Sequence, residues 1–236
     1  MVGSSVDKPS ALLRALERFY RTPLEQELGR HLEGAPAERA AQLFHDAARE
    51  VPAYAQFLRD AGFEPGNVTA AADFARVPVA TKDSYHRRHP LAALCRNGEL
   101  AGADMLAVSS GSTGEPAVWP RFVSDELGTA FRFEQVLRDG FGAHETRTLA
   151  VVCFALGSWV GGMYTTACLR HVAAKGYPLT VVTPGNQKAE ILRVLRALGP
   201  SFDQVVLCGY PPFLKDVIDA GRADGFDWRA RPVKLV

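Results

Sequence analysis

Four hydroxyl side chains and two glycines fall within six consecutive residues, Ser109, Ser110, Gly111, Ser112, Thr113 and Gly114, followed by Glu115 and Pro116. Glycine admits backbone turns closed to other residues. With no Cβ in the way, successive N–H groups can converge on one anion. The hydroxyls add donors without adding charge. This chemistry suits a polyphosphate that is held and then released. Spacing excludes three other loops. A Walker A loop needs Gly-Lys-Ser/Thr where Pro116 and Ala117 stand, G-x-G-x-x-G is absent, and neither Ser110 nor Ser112 has glycines two residues away on both sides. A surface turn of small residues has a similar composition, but placement directly after a predicted strand favours the phosphate reading.

A second group lies at or after predicted strand ends: Phe154, Trp159, Tyr164 and Tyr210, with Gly157, Ser158, Gly161 and Gly162 among them. The rings can stack on an aromatic or unsaturated acid, and the glycines leave room for it. Core packing is the competing role. Trp159, framed by Ser158 and by Val160–Gly162 on a predicted loop, is read as pocket. For Phe154 and Tyr164 both roles remain open. His86 and His89 have metal-like spacing, but no Cys or carboxylate is placed to complete a site. They are read as an exposed helix end, and Tyr85–His89 as a solvated basic face. No metal ligand is assigned.

The elements that must position these residues change character along the chain. To about Leu100 the pattern is helical. Leu12, Leu13, Leu16 and Phe19 recur at helical spacing, as do Ala40, Leu43, Phe44 and Ala47 before Pro52 interrupts. A further helix over 53–61 is capped by Gly62, a turn follows at 64–67, and Thr81 caps a short helix that stops before Pro90. Beyond that point strands and helices alternate. Strands are expected at 104–109, 117–122, 148–154, 179–182, 204–207 and from 232. Helices are expected from a cap at Ser124, near 163–174, from a cap at Asn186 with the stripe Ile191, Leu195 and Leu198, and over 212–220. The run from Thr148 to Phe154 reads as a strand buried on both faces. The fold class is therefore α/β: a helical N-terminal region, 1–100, then a mostly parallel sheet with crossover helices, 101–236. Ligands in such sheets collect at the carboxyl ends of strands, where the loops after Ser109, Phe154 and Leu207 lie. The chain stops in the apolar run Val233–Val236, so the α/β part is read as incomplete and the chain as a fragment of something longer.

Bulk properties narrow the function. The 236 residues carry 27 Lys+Arg against 26 Asp+Glu and are 47% apolar. The size allows a full core, and no basic stripe interleaved with aromatics points to nucleic acid. Cys95, Cys153, Cys168 and Cys208 form no C-x-x-C pair and suit a reducing, cytoplasmic compartment. No charge occurs from Leu149 to Leu169, a span-like length. Gly157, Gly161 and Gly162 interrupt it, so a strand, a glycine turn and a helix start are expected instead.

The segment Ser109–Pro116 resembles the phosphate loop of the adenylate-forming superfamily, in particular its phenylacetate–CoA ligase-like branch. Val51-Pro52-Ala53-Tyr54 followed by Gly62 resembles that branch's N-terminal helices. Asp73-Phe74-Ala75-Arg76-Val77-Pro78 with Thr81-Lys82 resembles its lead-in to the nucleotide domain. Phe154–Gly162 resembles the segment lining the acyl pocket, and Gly209-Tyr210-Pro211-Pro212 also matches in place and kind. The resemblance runs from about Ala40 onward. Ala117 departs from the superfamily's usual Lys after the loop, as the phenylacetate-type branch often does.

The resemblance implies that Ser109, Ser110, Gly111, Ser112, Thr113 and Gly114 hold ATP phosphates. It implies an acyl pocket of Phe154, Gly157, Ser158, Trp159, Gly161, Gly162 and Tyr210. The implied reaction activates a small carboxylic acid, aryl or other acyl, as acyl-AMP with ATP and Mg2+, then transfers the acyl group to a thiol such as CoA. The partners implied are a small acid and CoA or a carrier-protein thiol, with a homodimer among the compatible assemblies and no nucleic acid or membrane. The family's catalytic Lys and its metal-site Glu are expected beyond Val236, so no catalytic residue is assigned within the chain. Two alternatives stay open: a non-catalytic nucleotide-binding or scaffold protein, and an acyl-protein synthetase-like enzyme with a protein thiol as acceptor.

Overall fold

The computed structural model describes residues 8–33, 35–109, 116–230 and 232–236. In chain order the helices and strands are α1 (Lys8–Arg21), α2 (Leu24–Leu32), α3 (Pro36–Glu50), α4 (Pro52–Asp60), β1 (Met105–Val108), β2 (Val118–Arg121), α5 (Val123–Phe141), β3 (Thr148–Val152), α6 (Val160–Ala174), β4 (Leu179–Val182), α7 (Lys188–Ala197), β5 (Gln204–Cys208), α8 (Pro211–Ala223) and β6 (Val233–Leu235). Between α4 and β1 the backbone runs through short 3-10 turns. The chain groups into two compact units, one built from the described residues of 1–24, 107–110 and 121–236, the other from those of 25–106 and 111–120.

The larger unit is a four-stranded parallel sheet in the order β4-β3-β5-β6. Register pairs Thr148 with both Leu179 and Gln204, Val152 with Cys208, and Val205 with Val233. β3 and β5 are buried along their whole length, which explains why their sequences are apolar without alternation. Leu149, Val151, Val205 and Leu207 pack on Ile191 and Leu195 of α7 and on Leu214 and Val217 of α8. α6 packs on β3 and β4, α5 packs on α6, and α1 packs on α5.

A buried ion pair supports that last contact. Lys175 Nζ donates to Glu134 Oε2 at 2.7 Å and to the Thr22 carbonyl at 3.0 Å, and it lies over the Phe19 and Phe131 rings. Tyr177 donates to the other Glu134 oxygen. Both lone-pair faces of a carboxylate taken out of water are thus answered, the condition under which a buried charge is tolerated.

The smaller unit packs α3 against α4 around Phe44, Leu58 and Val68, with Tyr54, Phe63 and Phe74 at its edge. Gly62 ends the α4 turn at φ 66°, the left-handed value that glycine tolerates. Asp73 organises the next segment: its Oδ2 accepts from the Thr69 N–H, the Ala70 N–H and the Thr69 hydroxyl. Those bonds hold its carboxyl well below the usual carboxylate range.

Several sequence expectations are corrected. α2 was not anticipated, although Glu25 and Glu27 in its first turn and Arg30 and His31 in its last carry the charge order of a helix. Ser124 lies inside α5, whose cap position is Phe122, and Asn186 lies before the cap position Gln187 of α7. Neither helix has a side-chain cap bond. Leu198 falls beyond α7 and is 41% exposed. Thr81 does cap, in reciprocal bonds with Ser84, but the segment closes as turns and a 3-10 turn instead of an α-helix. The uncharged stretch 149–169 resolves into β3, a glycine turn and α6. Among the described residues no helix is long and apolar enough to cross a membrane.

Candidate active site

The order β4-β3-β5-β6 creates a topological switch. From β3 the chain crosses by α6 to β4 on one side, and from β5 it crosses by α8 to β6 on the other. The crevice at the carboxyl ends of β3 and β5 is where open α/β sheets bind ligands. The sequence places Cys153–Ala155 after β3 and Gly209–Tyr210 after β5 at that crevice. The Cys153 N–H donates to the Cys208 carbonyl at 2.8 Å, which keeps the two strand ends together. Gly209 sits in close approach, since a Cβ there would lie 2.8 Å from the Leu214 side chain and 3.1 Å from that of Cys153.

After β3 the chain turns through Gly157 at φ 81° and exposes Ser158 and Trp159 before α6 begins. The Val108 N–H donates to the Ser158 carbonyl at 2.9 Å, and Val108 forms a parallel bridge with Trp159. The last residue of β1 is thereby fastened to the glycine turn. Val108 immediately precedes the Ser109–Pro116 loop. Ser109 is half-buried at its start, while Ser110, Gly111, Ser112, Thr113 and Gly114 lie outside the described residues.

The candidate acyl residues divide. Trp159 is 39% exposed and Tyr210 64% exposed, both at strand-end loops. Tyr164 turns instead toward α5, its hydroxyl 3.0 Å from Thr129 Oγ1 and its ring under the Arg121 guanidinium. Burial raises its phenol above the usual value. The space left by Gly162 is occupied, since a Cβ there would lie 2.3 Å from the Ala155 carbonyl oxygen. Gly162 therefore seats the turn on α6. Gly161 faces the Phe154 ring, 3.6 Å from a Cβ position. Phe154 in turn forms part of the wall of an apolar cavity of about 250 Å³ bounded by α5, α6 and the end of β5.

Three of the four thiols are buried. Burial pushes Cys153, Cys168 and Cys208 up to about 12, so they stay protonated at neutral pH. All four cysteines are unbridged.

In the smaller unit the structure reveals a feature that sequence reasoning set aside. Lys82, His86, Arg87 and His89 line a cavity of about 200 Å³ together with Pro116, Ala117 and Val118, the residues that follow the glycine-rich loop. Arg87 is paired with Asp83, and the His86 ring meets Trp119 edge-on at 5.2 Å. The Tyr85–His89 run is thus folded against the loop's exit and is not simply a solvated face. The Thr81–Lys82 pair beside it was the available signal. Among the described residues no group of three or more His, Cys, Asp and Glu is placed to hold a metal.

No family model matches the chain, and no curated protein matches it in sequence. Solved structures of 2-hydroxyisobutyryl-CoA ligase match it in fold with a TM-score of 0.65. One, in complex with 2-HIB-AMP and CoA in the thioesterification state, is 17% identical over 98% of this chain and 44% of that one. An open conformation with the same two ligands is 20% identical over 84% and 45%. The postadenylation state with R3-HIB-AMP is 18% identical over 84% and 40%. The chain spans less than half the length of these structures. In its helices and four-stranded parallel sheet this chain therefore has the fold of the matching part of 2-hydroxyisobutyryl-CoA ligase.

Proposed function

We propose that this chain is the N-terminal part of an ATP-dependent acid–thiol ligase. In the first step a carboxylate oxygen attacks the α-phosphorus of ATP. The bond from that phosphorus to the pyrophosphate oxygen breaks, giving acyl-AMP and pyrophosphate. In the second step a thiolate attacks the acyl carbon and AMP leaves. A carboxylic acid is already ionised at neutral pH, so the first step requires positioning and charge stabilisation without a general base.

The observation that carries this reading is the fastening of Val108 to Ser158 and Trp159. It brings Val108, which precedes the loop proposed to hold phosphate, against the turn proposed to border the acyl group. The roles assigned are phosphate binding for Ser109, Ser110, Gly111, Ser112, Thr113 and Gly114, and the acyl pocket for Phe154, Gly157, Ser158, Trp159, Gly161, Gly162 and Tyr210. The donor chemistry fits ATP. Hydroxyls and amides on the loop receive phosphate oxygens, and Lys82 at the loop's exit supplies positive charge where Ala117 carries none. Mg2+ is expected to arrive with ATP, and no ligand for it is assigned here. CoA is the acceptor proposed, as in the ligands of the solved neighbours.

The test is carboxylate-dependent exchange of pyrophosphate into ATP by the complete protein. Changing Thr113→Val with Gly114→Ala should weaken exchange at least tenfold, and Lys82→Ala should raise the KM for ATP. Full exchange in the double variant means that the loop does not hold the phosphates.

A further inference from the structure

The apolar cavity beside Phe154 carries an inference about which acid is used, and it rests on the acid-ligase reading above. Phe133, Val136 and Leu137 of α5, Thr165 and Leu169 of α6, Cys208 at the end of β5, Phe154 and Val236 line it, and its wall is almost wholly carbon. Arg132 on the wall donates from its guanidinium to Gln135 Oε1 at 3.3 Å. A polar or charged group entering this space would lose its water without gaining partners. Its volume of about 250 Å³ exceeds the roughly 150 Å³ that admits benzene to an apolar protein cavity.

Phe154 ties this space to the strand-end crevice. It follows β3, it packs against Gly161 of the glycine turn, and its side chain is also part of the cavity wall. Phe154 therefore lies between the ends of β3 and β5, where the ligand's carboxylate is proposed to sit, and an apolar volume able to take a tail. We infer that the acid has an extended hydrocarbon tail, larger than a single ring and free of polar groups, which passes Phe154 and ends against Leu169 and Cys208. Phe154, Val136 and Phe133 are then the residues that set chain-length preference. This reading differs from a site shaped for a short hydroxy acid such as the one bound by the solved neighbours.

The experiment measures binding of butanoate, hexanoate and octanoate to the 236-residue chain by calorimetry, with toluene as a neutral competitor, in parallel with pyrophosphate exchange by the complete protein for the same acids. Each buried methylene should tighten binding about fourfold, so each two-carbon step should gain about fifteenfold. Val136 is 46% exposed, so Val136→Trp can fill the cavity from its open side without disturbing the core. That variant should lose the gain at octanoate. Phe133→Leu, which enlarges the space, should shift the preference toward longer chains, and it keeps the test informative if the Trp variant folds poorly. Failure of toluene to bind, or affinity independent of chain length, overturns the inference while leaving the ligase reading intact if exchange persists. Toluene binding that Val136→Trp blocks, with no exchange for any acid, overturns the ligase reading and with it the assignment of the cavity to an acyl tail.

Discussion

Gly162 provides the sharpest structural prediction, because its missing side chain has a measurable reason. An added Cβ would sit 2.3 Å from the Ala155 carbonyl oxygen and 3.0 Å from the Leu156 side chain. That is about 1 Å short of ordinary contact, and the nearer neighbour is backbone that cannot rotate away, so Gly162→Ala should cost near the upper end of the roughly 1–3 kcal/mol typical of overpacking. Gly161→Ala is the internal control. Its Cβ would meet the Phe154 ring at 3.6 Å, an ordinary contact, and alanine's better helix propensity offsets any small loss, leaving the change within about 0.5 kcal/mol. Equilibrium urea unfolding of the 236-residue chain should show a midpoint lowered by on the order of 1 M for Gly162→Ala and almost unmoved for Gly161→Ala. The same displacement should reach Ser158 and Trp159, and through them the Val108 bridge, so nucleotide affinity should fall along with stability. Equal midpoints for the two variants would refute the argument that Gly162 exists to seat the turn.

Two further perturbations test the scaffold. Lys175→Met leaves the Glu134 carboxylate buried without its cation and should destabilise by about 3–5 kcal/mol in urea unfolding, whereas the double change with Glu134→Leu should recover most of the loss. Asp73 has a depressed carboxyl, so its contribution is present above about pH 4 and is lost as pH falls through that range. The thermal midpoint of the native chain should therefore drop more steeply on acidification below about pH 4 than that of Asp73→Asn, and parallel curves would contradict this assignment.

What could be read in advance follows from which forces act locally. The buried strands β3 and β5 announced themselves as apolar runs, and the alternation of strands with helices identified the α/β class, because burial on both faces leaves a continuous signature in sequence. Helix caps were less legible. Ser124 and Asn186 have the right side chains one or two residues from the true cap positions, which packing of α5 and α7 decides. The short α2 was overlooked because its apolar face is narrow and its charge order is a weak signal. The loop at 109–116 and the segment at 154–162 are proposed as the site from composition and resemblance. The fastening of Val108 to that segment could not be read in advance, since a bridge between residues fifty positions apart depends on topology. The basic cavity at Lys82 was hidden for the same reason. The run His86–His89 is indistinguishable from a solvated face until Pro116–Val118 is folded against it.

The central claim is that the complete protein joins a carboxylate to AMP, and isotope transfer tests it most directly. An acid labelled with 18O in its carboxylate, incubated with MgATP, the complete protein and CoA, should leave one labelled oxygen in AMP, because the acyl carbon–oxygen bond breaks when the thiol displaces the adenylate. Label recovered in inorganic phosphate with release of ADP would mean attack at the γ-phosphorus. That result, or the absence of any acid-dependent AMP across short and long acids, would contradict the account.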